Sequence, residues 1–198
     1  MKKTKTLLLS LLASTLALAA CTSDSGVEQG RCVAFDPAAK TMTLVADTVR
    51  DDRSRTDYSG AVITYKLPAE SKEMGPAPSV GGRLMVDVEK SNVLVFDPVS
   101  KKPREIAVEF TSVEKNINRT NPKVAGKTFP LIDKEKQTIT IYSARLSTLT
   151  TFKPPQAAME LPAEVWAPGD EMRIAFKQTD KTQATRVMNV SQTNIFRR

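Results

Sequence analysis

The sequence predicts an all-β protein built as two tandem small barrels, and three observations predict it. Beyond residue 21 the apolar residues alternate with polar ones, as in Thr41-Met42-Thr43-Leu44-Val45, the period-two signature of half-buried strands. No stretch sustains a 3.6-residue apolar period, so no helix longer than about three turns is expected. The pattern of residues 30–113 also returns over 126–198. Asp36 matches Asp133, Leu67-Pro68-Ala69-Glu70 matches Leu161-Pro162-Ala163-Glu164, Met85 matches Met172, and Arg104 matches Arg186, with offsets that fall from 97 to 82. Each shortening lies where the first copy has a loop, where deletions are tolerated. A single β-sandwich is the alternative fold.

Residues 1–20 read as a leader. Lys2, Lys3 and Lys5 precede a run from Thr6 to Leu18 that is nearly all apolar or small, and small residues follow. This run is too short to span a bilayer, which takes about 20 apolar residues. The segment Leu18-Ala19-Ala20-Cys21 resembles the lipobox of bacterial lipoproteins. The resemblance implies cleavage between Ala20 and Cys21, a diacylglyceryl thioether on the Cys21 sulfur and often an acylated amino terminus. One acyl chain holds a protein only marginally, whereas two or three anchor it firmly. Thr22 rather than Asp follows the cysteine, which by the same resemblance favours the outer membrane, facing the periplasm.

The 198-residue chain has 40% hydrophobic and 26% charged residues, the balance of a globular protein. Losing Lys2, Lys3 and Lys5 lowers the net charge from +7 to +4. No nucleic-acid partner is expected; the expected partners are the membrane, through Cys21, and an envelope protein complex. With Cys21 lipidated, Cys32 has no disulfide partner in the chain, and a buried inert thiol is expected. There is no histidine, the commonest metal ligand and acid–base group. No catalytic residue, metal site or cofactor is expected, and no ligand-binding residue is assigned.

The remaining elements follow in order. Residues 21–29 are small and polar and read as a lipidated tether. Residues 30–113 form the first module, opening with a hairpin about Asp36-Pro37-Ala38-Ala39-Lys40. The charged stretch Arg50 to Gly60, with Asp51-Asp52 beside Arg50, Arg53 and Arg55, reads as a solvated loop. Ala61 to Leu67 is a strand, and Glu70 to Gly82, rich in Pro and Gly, is a surface loop. Arg83 to Val88 and Asn92 to Phe96 are further strands or one bent strand, and Arg104 to Phe110 is a strand, with a basic turn at Lys101-Lys102-Pro103-Arg104. Residues 114–125 form a polar connector, and residues 126–198 the second module. Met42 and Leu44 should face one core and Ile139 and Ile141 its twin. Asp36 and Asp133 read as turn residues that bond their own backbone, and Trp166 as a core residue.

Five short strands of this rhythm close best as a small barrel, which removes exposed edges. In outline, Gly30, Asp36, Thr43-Leu44 and Gly82 before a strand resemble the OB-like barrels of bacterial envelope proteins, including the periplasmic copper-binding modules. Those modules use His, Met and Trp ligands; this chain lacks His, and no metal site is carried over. The function expected is a non-enzymatic, membrane-anchored envelope lipoprotein with a protein-interaction or structural role. The alternative is a periplasmic binding module for a small molecule or glycan.

Overall fold

The computed structural model describes residues 25–48 and 60–193. The leader, Cys21 and the Arg50 to Arg55 cluster lie outside the described residues. The first half of the chain runs β1 (Ser25–Asp36), β2 (Thr41–Ala46), β3 (Val62–Lys66), a 3-10 turn at Ser71–Glu73, β4 (Arg83–Asp87), β5 (Asn92–Asp97) and β6 (Lys102–Ala107). The second half runs β7 (Glu109–Glu114), β8 (Leu131–Asp133), β9 (Thr138–Ser143), β10 (Thr148–Lys153), α1 (Gln156–Met159), α2 (Ala163–Trp166), β11 (Glu171–Lys177) and β12 (Asp180–Asn189). The fold is all-β, and each helix is only four residues long, begun after Pro155 and Pro162.

A five-stranded barrel closes in the order β1-β11-β12-β3-β2. Strands β1, β2 and β3 form a meander, and β12 lies parallel to β3 through Gln183 and Lys66. Strand β11 returns antiparallel to β1, with Gln29 opposite Arg173. This is a Greek-key barrel of the OB type. All five strands fill its interior, with Cys32, Met42, Leu44, Tyr65, Met172, Ile174, Phe176, Ala184 and Val187.

Between β3 and β11 the chain builds a second unit of two sheets, β4-β5-β6 and β7-β10-β9-β8. Their shared core takes Val93, Val95 and Ile106 from one sheet, Ile139, Ile141 and Phe152 from the other, and Val165 and Trp166 from α2. The rings of Phe152 and Trp166 lie 5.6 Å apart. The chain crosses from one sheet to the other at Val108, whose N–H donates to the Ser91 carbonyl. Strand β5 is buried on both sides. Val93 and Val95 face the two-sheet core, while Leu94 and Phe96 meet Val33, Val45 and Leu84 in the seam against the barrel.

Met42 and Leu44 do share one core, and Ile139 and Ile141 another. The modules are otherwise shared out differently from the sequence reading. Residues 30–113 and 126–198 do not each close a barrel: the one closed barrel of the described residues takes β1, β2 and β3 from the first stretch and β11 and β12 from the second. The match between Asp36 and Asp133 is turn chemistry. Asp36 accepts from the amides of Ala38 and Ala39, and Asp133 from those of Glu135 and Lys136. Asp97 does the same with Val99 and Ser100, Asp87 accepts from the Lys90 amide, and all four turns end on a residue at positive φ: Lys40, Ser91, Lys101 or Gln137.

Three boundaries also move. Strand β1 begins at Ser25, because residues of the expected tether pair with β11 from Ser25 opposite Lys177 onward. The stretch 114–125 packs rather than merely connects. Ile117 and Val124 are buried with Leu149, and the Tyr142 hydroxyl donates to the Ile117 carbonyl at 2.9 Å. The Glu70 to Gly82 loop is stitched into the fold, with Pro78, Gly81 and Gly82 buried and the Gly75 amide donating to the Val187 carbonyl.

Candidate functional site

Three places concentrate polar or ionisable chemistry. The first is the crossing where the chain re-enters the barrel. The Cys32 amide donates to the Asp170 carbonyl at 2.9 Å, and the Cys32 carbonyl accepts from the Gly81 amide at 3.2 Å. Gly169 lies so close to that carbonyl that a Cβ would overlap it. The Asp170 carboxylate accepts from the Ser79 amide at 2.9 Å, the Asn189 side-chain amide at 2.9 Å and the Gln192 side-chain amide at 2.6 Å. One acid thus ties the 74–82 loop to the end of β12. The Cys32 thiol is pushed up to about 12 by burial and by the negative charge of Asp170. It is packed among Met42, Leu44 and Met172 in the barrel core, and a buried protonated thiol is a weak nucleophile.

The second place is the outer face of the β7-β10-β9-β8 sheet. Alternation turns Thr138 and Thr140 of β9 and Thr151 of β10 away from the core, beside Thr111 of β7. A shallow trough of about 740 Å³ lies on this face, flanked by Lys136, Lys153 and Asp133. The hydroxyls of Thr140 and Thr151 lie 2.9 Å apart, and Thr111 donates to the Thr151 carbonyl at 3.2 Å. Lys136 pairs with Asp133 at 3.2 Å, both side chains exposed to solvent, so the contact adds little to stability. Backbone and side-chain bonds from Lys136 hold the Asp133 carboxyl below its ordinary range. The hydroxyls and ammonium groups can bind and orient a polar ligand.

The third place is the seam between barrel and sheet, where Arg83 opens β4 in a nearly buried position. Burial, and then the neighbouring Arg31 charge, push its guanidinium down to about 10. The sequence reading treats Arg83 as an ordinary strand residue. A signal was present: a charge interrupts the apolar run between Gly82 and Leu84-Met85-Val86. Nothing in the sequence marks Asp170, whose partners lie far away along the chain.

Trp166 is fully buried in the two-sheet core. Lys101 and Lys102 are exposed, and Arg104 reaches Asp97 at 4.0 Å. Cys21 and Ala20 lie outside the described residues. Among the described residues no three His, Cys, Asp or Glu side chains gather as a metal set, and no helix is long and apolar enough to cross a membrane.

The fold and these surfaces define a small all-β protein: an OB-type barrel carrying a two-sheet insertion between its third and fourth strands. The family is shown by sequence. Residues 23–198 match the model of a domain of unknown function (DUF4881), and the chain belongs to that family. No curated protein and no solved structure matches it.

Proposed function

We propose that the chain is a lipid-anchored protein of the bacterial cell envelope, facing the periplasm, that works without catalysis by holding another envelope protein close to the membrane. The observation that carries this is Leu18-Ala19-Ala20-Cys21, four positions ahead of the first residue of β1. At about 3.3 Å per residue, that spacing keeps the barrel within roughly 15 Å of the lipid surface. The β7-β10-β9-β8 sheet supports the reading, since among the described residues its outer strands each pair on one side only. A free strand edge can take up an extended segment of a partner.

A clickable fatty acid fed to cells tests the anchor. The wild type should be labelled and recovered in the membrane fraction, and Cys21→Ser should be neither. Equal labelling of both proteins sinks the proposal. A photo-crosslinking amino acid at Thr140 should trap a discrete protein, whereas one at Lys101 should not. The trough favours a second reading, a small-molecule or glycan module, because about 740 Å³ lies within the ordinary size of ligand sites and hydroxyls line it. A glycan adduct at Thr140, with no protein adduct, selects that reading instead.

A further inference from the structure

The chain enters the barrel where lysines gather. Ser25, the first residue of β1, stands opposite Lys177, the last of β11, and Lys177 stands opposite Asp180, the first of β12. Three residues on, Gln183 of β12 pairs with Lys66, the last residue of β3, and its side-chain amide donates to the Lys66 carbonyl at 3.4 Å. Lys66 and Lys177 therefore flank the first residues of β12 from its two sides, with Lys181 on the strand between them. The Leu67 amide donates to the Lys40 carbonyl at 2.9 Å, which sets a fourth lysine beside Lys66. All four lysines are exposed, and none of the ion pairs among the described residues includes them. Two acids share this surface. Asp180 accepts from the amide and the hydroxyl of Thr182, and Asp36 from the amides of Ala38 and Ala39. Glu28 falls on the opposite face of β1 from Ser25 and Val27 by strand alternation. Positive charge therefore exceeds negative on this end of the barrel.

We propose that this end of the barrel, with Lys40, Lys66, Lys177 and Lys181, is a seat for an anionic phospholipid leaflet. The inference rests on the lipid anchor proposed above: Cys21 lies four positions before Ser25, a reach of roughly 15 Å. An ammonium group held that close to anionic headgroups is drawn to them, by about fivefold in occupancy for each lysine. Val27 is 55% exposed on the same face of β1 as Ser25 and adds an apolar contact beside the lysines. Seating also sets the orientation. Lys177 closes β11, while Glu171 at its other end follows Gly169 and Asp170, where the inserted unit meets the barrel. At about 3.3 Å per residue the two ends are about 20 Å apart. The inserted sheets, with the threonine trough on their outer face, are thereby held off the membrane and open to a partner.

The test uses the full-length protein expressed with its own leader, purified in detergent and mixed with phosphatidylglycerol or phosphatidylcholine vesicles. Flotation reports binding. Brief acetylation, quantified at each lysine by mass spectrometry, reports which surface is covered. Lys40, Lys66, Lys177 and Lys181 should react about fivefold more slowly on phosphatidylglycerol than on phosphatidylcholine. Sodium chloride at about 1 M should remove the difference. Lys136 and Lys153, on the outer face of the far sheet, should react equally on both lipids. In the triple variant Lys66→Gln, Lys177→Gln, Lys181→Gln the protection of Lys40 should be lost. A wild type that floats with both vesicles yet is acetylated equally on both overturns this inference and leaves the anchor standing. One that floats only with phosphatidylglycerol supports the seat and refutes the anchor, and one that floats with neither overturns both. Protection that survives high salt, extends equally to Lys136 and Lys153, or persists at Lys40 in the triple variant also overturns the inference.

Discussion

Replacing Gly169 by alanine tests whether the barrel and its insertion are locked where two backbones touch. A Cβ at Gly169 would overlap the Cys32 carbonyl oxygen and come within 2.9 Å of the Gly81 nitrogen. Both are backbone atoms, so no side-chain rotation relieves the overlap. Moving Cys32 strains its amide bond to Asp170 and its carbonyl bond from Gly81. Each backbone hydrogen bond contributes about 1 kcal/mol net, and forcing extra volume into packed structure costs about 1–3 kcal/mol. The expected loss is therefore about 3–5 kcal/mol. Gly126→Ala is the control: φ there is +71° with nothing within 4 Å, so only the left-handed backbone penalty of about 1–2 kcal/mol applies. Urea unfolding is followed by fluorescence of Trp166, the single tryptophan and fully buried. If Gly169→Ala costs no more than Gly126→Ala, the close approach is not a constraint and the reasoning fails.

Asp170→Ala removes the acceptor of three hydrogen bonds; it should cost about 2–4 kcal/mol and speed amide exchange over residues 75–82, and unchanged exchange there would contradict the stitching. Cys32 should resist thiol reagents at pH 8 in the native protein and react at once in urea. Because burial raises its folded pKa to about 12 from the ordinary thiol value of 9.0, its contribution is complete below pH 9. It is lost as pH rises through 9 to 12, since the unfolded thiol ionises first, by up to about 1.4 kcal/mol per pH unit. Cys32→Ala should flatten that alkaline limb, and an unchanged slope would assign it elsewhere.

Individual strands were legible because their signal is local. Thr41 to Val45 alternates, and Val93 to Phe96 is a continuous apolar run, the mark of a strand covered on both sides. The choice of partners was not. Gln29 and Arg173 pair across 144 positions, and nothing near either residue names the other. The repeat was over-read for a physical reason: an aspartate that bonds a following backbone amide, ahead of a residue at positive φ, is one solution to a hairpin turn, and this chain uses it at Asp36, Asp87, Asp97 and Asp133. Ile117 and Val124 stand alone among Asn, Arg and Lys, so no periodicity announces their burial. The threonine face was visible as alternation, but its trough depends on four strands coming side by side. Arg83 could have been marked as a charge in an apolar strand.

The closure of β1 against β11 fixes the order in which the molecule can mature. If the chain is threaded across a membrane from its amino end, as the proposed anchor requires, β1, β2 and β3 emerge long before residues 171–189, and the barrel stays an open three-stranded meander until the last strands arrive. The inserted sheets contain all their own strands between β3 and β11 and can assemble in that interval. Contacts this distant in sequence form late and slowly. Until they form, β1 and β3 present bare edges to every other chain emerging nearby. A lipid on Cys21 would hold such an unfinished barrel at the membrane surface, apart from soluble neighbours, for the time that closure takes.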